Sequence, residues 1–504
     1  METLSDKGRI SHRHRIGLIA GIALFLLVLL LPLPGDMSYP AHRTAAVAVL
    51  MAVWWMTEAV SIAITALIPL VLFPLLGIMT ARDTAASFGD SNIYLFFGGF
   101  LIAAAMEKSG LHLRIAYTII TIVGKSPRSI VLGFMTATAF LSLWISNTAT
   151  ALLMLPIGIA TICAVEELPD IDAETHRSFG TVLMLGIAYS ASVGGIGTLI
   201  GTPPNIIFAS SAAALYPDLP RVGFLTWLAF ALPITCLLLP CIWLILTRGV
   251  FNISGKALKN AREILLQKKA DLGPMRPDEA KLLIIFSLTA LGWIFRVDIS
   301  IGAFTIPGWA DMFPKPEYIN DATVAIAAAI VLFLTPVDKR WNDYLLTWKE
   351  AREIPWGILI LFGGGIALAS GFSESGLSSW LGNLLHGMKG MPVWLVIFLI
   401  AMLVTFLTEI TSNTATATLF MPLMGGLAEG IGYHPYLFMI PAAVSASCAF
   451  MLPVATPPNA IILSSGRVNT PQMAKTGIWI NIIGAIIITA IVYFIVPPLF
   501  SIHF

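Results

Sequence analysis

The chain predicts an all-α polytopic membrane protein built on an internal repeat, and three observations carry that fold class. Of its 504 residues, 57% are hydrophobic and 11% charged, against about 25% charged in an ordinary soluble domain. Apolar stretches of membrane-spanning length recur from one end to the other. The pattern Ser-Asn-Thr-Ala-Thr occurs twice, at 146–150 and 412–416, 266 residues apart. About 11 transmembrane helices and two re-entrant helical hairpins are expected, with no soluble domain. The net charge of +1 points to no nucleic acid partner.

Taken in order, the first fifteen residues carry Lys7, Arg9, Arg13 and Arg15 ahead of an apolar run at 16–34. Basic residues accumulate on the cytoplasmic side, so the N-terminus is expected there. The run is longer than the roughly 7–15 apolar residues of a signal peptide and no small-residue cleavage site follows. Residues 1–43 therefore read as a cytoplasmic N-terminus and an uncleaved first helix. Further apolar stretches lie at 44–77, 92–106, 112–123, 225–248, 280–296, 322–336, 355–371 and 476–500. Two others, 129–165 and 392–428, are long enough for two short helices each, with Ser-Asn-Thr near the middle. That suits a hairpin entering and leaving the membrane on one side.

Stretches 181–215 and 434–463 are interrupted by Thr-Pro-Pro-Asn, at 202–205 and 456–459. Adjacent prolines remove two amide donors and clash with the preceding turn. Broken backbone at membrane depth survives only where protein or a water-filled cavity receives its polar groups. The segment 248–281 holds Lys256, Lys259, Arg262, Lys268, Lys269 and Arg276 with few acids. It reads as a cytoplasmic basic linker (251–280) between a first repeat (44–250, hairpin tip 146–148, broken helix at 201–205) and a second (281–504, hairpin tip 412–414, broken helix at 455–459).

A third shared element supports the duplication: FGGFLIAAAMEKSGL at 97–111 and FGGGIALASGFSESGL at 362–377. Gly98 precedes Ser146 by 48 residues, and Gly363 precedes Ser412 by 49. Small residues commonly let helices approach closely, so Phe-Gly-Gly reads as packing. With one extra helix at the front and five crossings per half, the repeats would be inverted. The four cysteines, Cys163, Cys236, Cys241 and Cys448, lack metal-ligand or disulfide-framework spacing and read as packing residues.

At each hairpin tip the second helix begins with unpartnered amides and the positive end of its dipole, which attract anions. Carbonyls and Ser or Asn oxygens beside them suit a small hard cation. Between Ser142 and Pro156, and between Thr411 and Pro422, there is no acid, base or histidine. A neutral tip needs bound cations to hold a dianion, so anion and cation binding should be coupled. A single Ser-Asn-Thr would read as interhelical glue; two copies, each with its own proline-broken segment, favour a binding site of the kind found at the midplane of secondary transporters. Glu58, Glu107, Glu409 and Arg296 are the ionisable candidates inside or beside apolar stretches. Glu58 reads as a helix end, and Glu409, three residues before Ser412, either orients its hairpin or pairs with a base.

At these residues the chain resembles the divalent anion/sodium symporter family, from WWMTEAVSIAITALIPLVLFPL at 54–75 to the final ATPPN. The resemblance implies sodium-coupled uptake of C4-dicarboxylates such as succinate, malate or fumarate, with sodium co-transported and no organic cofactor. It also implies a homodimer in a lipid bilayer, a bacterial inner membrane being expected, whose transport domains move elevator-fashion against fixed scaffolds. Ser142, Ser146, Asn147 and Gly201 would form sodium site 1; Thr408, Ser412, Asn413 and Ala455 sodium site 2. The substrate would meet Asn147, Thr148, Thr202, Pro203, Asn413, Thr414, Thr456 and Pro457. Dicarboxylate exchange, citrate or sulfate preference, a channel and an intramembrane enzyme are the rival readings. The enzyme is disfavoured by the lack of His-Glu-x-x-His, Gly-x-Ser-x-Gly or paired membrane aspartates.

Overall fold

The computed structural model describes residues 12–124, 126–166, 173–251, 253, 259–301, 304–384 and 390–502. Lys7, Arg9 and Lys256, on which part of the topology expectation rests, lie outside the described residues. The first half runs α1 (His12–Leu30), α2 (Tyr39–Thr57), α3 (Ile62–Thr65), α4 (Ile68–Leu75), α5 (Ala81–Ala86), α6 (Ser91–Ser109), α7 (Leu111–Val123), α8 (Pro127–Ser142), α9 (Asn147–Glu166), α10 (Ala173–Ile196), α11 (Pro203–Leu215) and α12 (Phe224–Leu244). A connecting helix α13 (Lys259–Asp271) leads to α14 (Pro277–Ile294), α15 (Asp321–Leu334), α16 (Trp348–Ala351), α17 (Trp356–Glu374), α18 (Leu377–Leu384), α19 (Val393–Thr408), α20 (Asn413–Ile431), α21 (Tyr436–Ser445), α22 (Pro457–Ser464) and α23 (Thr470–Leu499). A short antiparallel pair, β1 (Ile299–Ile301) with β2 (Phe304–Ile306), sits between α14 and α15.

Helix starts follow local chemistry. Ser126 and Ser129 form a capping box ahead of α8, with Pro127 in the first turn; Asn469 and Gln472 do the same for α23. Such caps satisfy first-turn amides that the lipid cannot. The proline pairs are not inside helices: they occupy the first two positions of α11 and α22, where the missing amides are tolerated. The breaks lie just upstream, in 197–202 and 446–456. The stretch 44–77, read as one apolar run, is divided at Glu58, which ends α2 in the left-handed region (φ 52°).

Six helices or helix runs among the described residues are long and apolar enough to cross a membrane. Residues such as Ile19, Leu30, Val71, Leu75 and Phe494 are exposed on the outside of the bundle, as a lipid-facing surface requires. The two broken helices form its centre: α10 is wholly buried over residues 179–196 and α21 along its whole length. Cys448 is buried, but Cys163 and Cys236 lie exposed, which corrects the packing assignment for those two. Apolar composition cannot separate core from lipid-facing positions when the solvent is itself apolar.

The halves interlock rather than sit side by side. α6 runs along α15, while α17 packs on α3 and α4; α10 packs on α22, while α11 packs on α21. Phe-Gly-Gly mediates the first exchange. A Cβ on Gly98 would sit 2.6 Å from that of Ala325, and one on Gly364 would collide with the carbonyl oxygen of Ala66. Arg296 pairs with Asp321 (2.6 Å), which also accepts from the Phe224 amide, so it joins α14, α15 and the start of α12. Arg467 pairs with Glu166, again across halves.

Candidate binding site

A cavity of about 550 Å³ lies where the two hairpin turns and the two helix breaks meet. Its lining includes Ser146, Asn147, Thr148, Gly201, Thr202 and Pro203 from the first half. From the second it includes Ser412, Asn413, Thr414, Ala455, Thr456 and Pro457. All eight expected substrate contacts face it. Among the lining residues Glu58 is the sole ionisable side chain, so no fixed cation stands ready to neutralise an anion.

The helix starts explain what the cavity offers. α9 and α20 begin at Asn147 and Asn413, and α11 and α22 begin at Pro203 and Pro457. Four positive helix ends therefore converge on one space. Ser412 caps α20 without a side-chain hydrogen bond, leaving its first-turn amides open. In α11 and α22 the prolines remove two of those donors. Direct hydrogen bonds to an anion must then come from α9, α20 and the Asn and Thr side chains, with α11 and α22 contributing field alone.

Behind the cavity wall each half builds the same oxygen cluster. The Ser142 hydroxyl is 2.7 Å from Asn147 Oδ1 and 2.6 Å from the Ala191 carbonyl oxygen. The Thr408 hydroxyl is 2.6 Å from Asn413 Oδ1 and 2.9 Å from the Ala446 carbonyl oxygen. A hydroxyl carries one proton, whereas an amide Oδ1 and a carbonyl only accept. Each triplet thus has two acceptors for one proton, and the surplus lone pairs suit a hard cation. Ser142 and Thr408 are fully buried, and each stands four residues before its motif serine. Gly195 permits the close approach in the first half: a Cβ there would overlap Asn147 Oδ1.

Two contributions went unread in the sequence, the Ala191 and Ala446 carbonyls and the Asn205 and Asn459 clamps. Ala191 and Ala446 supply carbonyls from the centre of a further repeated pattern, Ser-Ala-Ser, at 190–192 and 445–447. All four of those serine hydroxyls are buried without a hydrogen-bond partner. Asn205 and Asn459 clamp the breaks. Asn205 Nδ2 donates to the carbonyls of Gly195 (2.9 Å) and Thr198 (2.7 Å), and Asn459 Nδ2 to those of Ala449 (3.1 Å) and Leu452 (3.0 Å). Glu409 pairs with no base among the described residues. It accepts from the amides of Phe450, Met451 and Leu452 and from Asn481 Nδ2, at 2.7–3.0 Å.

A bundle of apolar helices closed around a duplicated polar site whose lining holds no basic side chain defines a multi-pass membrane transporter rather than an enzyme. The profile of the sodium:sulfate symporter transmembrane region matches residues 12–502, and the chain belongs to that family of divalent anion:sodium symporters. It is 40% identical over 490 residues to the sodium-dependent dicarboxylate transporter SdcS of Staphylococcus saprophyticus, covering 97% of this chain and 92% of the relative. SdcS of Staphylococcus aureus is 42% identical over 485 residues, covering 96% and 91%. Among solved structures, the fold is shared with the Alcanivorax borkumensis YdaH transporter (TM-score 0.58, 12% identity, covering 95% of this chain and 98% of that one). It is also shared with Neisseria gonorrhoeae MtrF, of a class of antimetabolite efflux pumps (TM-score 0.56, 12% identity, covering 96% and 95%).

Proposed function

We propose that this protein is a secondary active transporter that imports C4-dicarboxylates with sodium ions. The observation that carries the reading is the pair of proton-deficient oxygen triplets behind one cavity that has no basic residue. A sodium ion in each triplet relieves the surplus lone pairs and supplies positive charge beside the Asn147 and Asn413 tips. The dianion then meets neutralised ground, and each ligand raises affinity for the other. Sodium site 1 comprises Ser142, Ser146, Asn147 and Gly201; site 2 comprises Thr408, Ser412, Asn413 and Ala455. The carboxylates meet Asn147, Thr148, Asn413 and Thr414, with Thr202, Pro203, Thr456 and Pro457 closing the site. Full-length likeness to sodium-dependent dicarboxylate transporters supports the choice of cargo.

The mechanism we infer is of the elevator type, in a homodimer. Helices α8 and α19 each give way to a Ser-Asn-Thr turn that lines the central cavity, which supports re-entrant hairpins α8–α9 and α19–α20. Each half then crosses five times: α2, α3–α4, α6, α10–α11 and α12 match α14, α15, α17, α21–α22 and α23. With α1 in front, five crossings invert the second half. A transport domain holding hairpins and breaks would carry the site past the scaffold helices. The deciding experiment is uptake of labelled succinate into proteoliposomes with and without an inward sodium gradient. Concentrative uptake is expected only with the gradient; uptake indifferent to sodium and dependent on internal dicarboxylate would establish exchange instead.

A further inference from the structure

The two cation sites are alike in their oxygens and unlike in their charge. Counted from the motif serines, Leu143 stands in the first half where Glu409 stands in the second. Counted from the starts of α12 and α23, Thr235 stands where Asn481 does. In the first half these places are neutral: Thr198 Oγ1 donates to the Leu143 carbonyl and Thr235 Oγ1 to the Val193 carbonyl. The second half places a carboxylate there, 3% exposed.

That carboxylate does two things at once. It collects three consecutive amides, Phe450 (2.7 Å) and Met451 (2.9 Å) on Oε1 and Leu452 (3.0 Å) on Oε2, which the break after α21 leaves without helical partners. Asn481 Nδ2 completes the set at 2.8 Å on Oε1. All four partners are neutral N–H donors, and no ion pair among the described residues includes Glu409. The carboxylate is therefore held in place by N–H dipoles, with no counter-charge paired to it among the described residues. It adjoins Thr408, whose hydroxyl belongs to the second triplet, and it holds the Phe450 amide four residues beyond Ala446, whose carbonyl belongs to the same triplet.

Building on the sodium-symport reading, we propose that Glu409 is a positioning and electrostatic residue that makes sodium site 2 the tighter site and the first to fill. At an effective dielectric of about 20, a nearby unit charge changes the affinity for a cation by at least about tenfold. Site 1, with Leu143, lacks that contribution. Filling is then ordered: sodium enters beside Asn413, then beside Asn147, and the dianion binds once both tips are compensated.

The test is direct binding of radiolabelled sodium to the purified full-length protein in choline-balanced buffer without dicarboxylate. Wild type should show two phases separated by about tenfold. Asn413→Ala should remove the tight phase and Asn147→Ala the weak one. Glu409→Gln should raise the half-saturating concentration of the tight phase about tenfold. Glu409→Asp, which keeps the charge on a shorter stem, should keep it near wild type. A purely structural role ranks the variants the other way, since Gln keeps the length and the acceptor oxygen. The proposal is overturned by a single undivided phase, by loss of the tight phase in Asn147→Ala, or by a Glu409→Gln curve that matches wild type. The Asn147 and Asn413 variants decide it even where Glu409 variants do not fold. No sodium binding by wild type would overturn the symport reading itself, and this ordering with it.

Discussion

Asn147 and Asn413 each do two jobs. Their Oδ1 atoms sit in the oxygen triplets and their backbones open α9 and α20 onto the cavity. Asn147→Ala and Asn413→Ala are each expected to reduce sodium-driven succinate uptake to about 1% of wild type or less, since a hydrogen bond to a charged group is worth about 1.5–3 kcal/mol and a cation ligand goes with it. Size-exclusion profiles should stay unchanged, which separates loss of the site from loss of the fold. Gly195→Ala should act on one site alone. The added Cβ overlaps Asn147 Oδ1, so the site must shift at about 1–3 kcal/mol, and the half-saturating sodium concentration for uptake should rise. The tips were legible because Ser-Asn-Thr stands out in apolar sequence twice. The Ala191 and Ala446 carbonyls were not, because every residue has a carbonyl and no side chain marks the one that is used.

Among the elements, the broken helices are held by what they lost. The chain leaves helical pairing before Pro203 and Pro457, and Asn205 and Asn459 reach back to the freed carbonyls. Asn205→Leu would take the side-chain donor from the Gly195 carbonyl and leave the Thr198 carbonyl with the Gly201 amide alone, at about 1–3 kcal/mol in all. A lower thermal midpoint of the purified protein should follow, with sodium partly restoring it. Sequence located both breaks through the proline pairs but set them three to nine residues late, since Pro at the first two helix positions begins a helix and does not interrupt one. Glu409 shows a second limit. An acid next to a hairpin suggests a basic partner, yet its partners are backbone amides at 450–452, donors that leave no trace in composition.

For the molecule as a whole, sodium binding and stability are linked. A ligand that binds only the folded state at 100 times its dissociation constant adds about 2.7 kcal/mol, so replacing sodium with choline should lower the melting temperature, and succinate should add to it only when sodium is present. Additive stabilisation by succinate in choline would contradict the coupling. The duplication and the order of its elements were legible from three motifs at matched spacing. The exchange of partners between halves was not: α10 against α22, α11 against α21, and α17 against α3 and α4 are contacts between segments too far apart along the chain for periodicity to report.

That exchange has a consequence for how the protein is made. During synthesis the first half leaves the ribosome with α10 and α11 complete but with α21 and α22 not yet in existence, so its most buried helices must wait in the membrane without their cover. Long-range partners of this kind are paired late and leave intermediates exposed to degradation. Residues 1–258 expressed alone should be cleared by quality control, and co-expression with residues 259–504 should rescue them, with the rescued pair measurable as succinate uptake in intact cells.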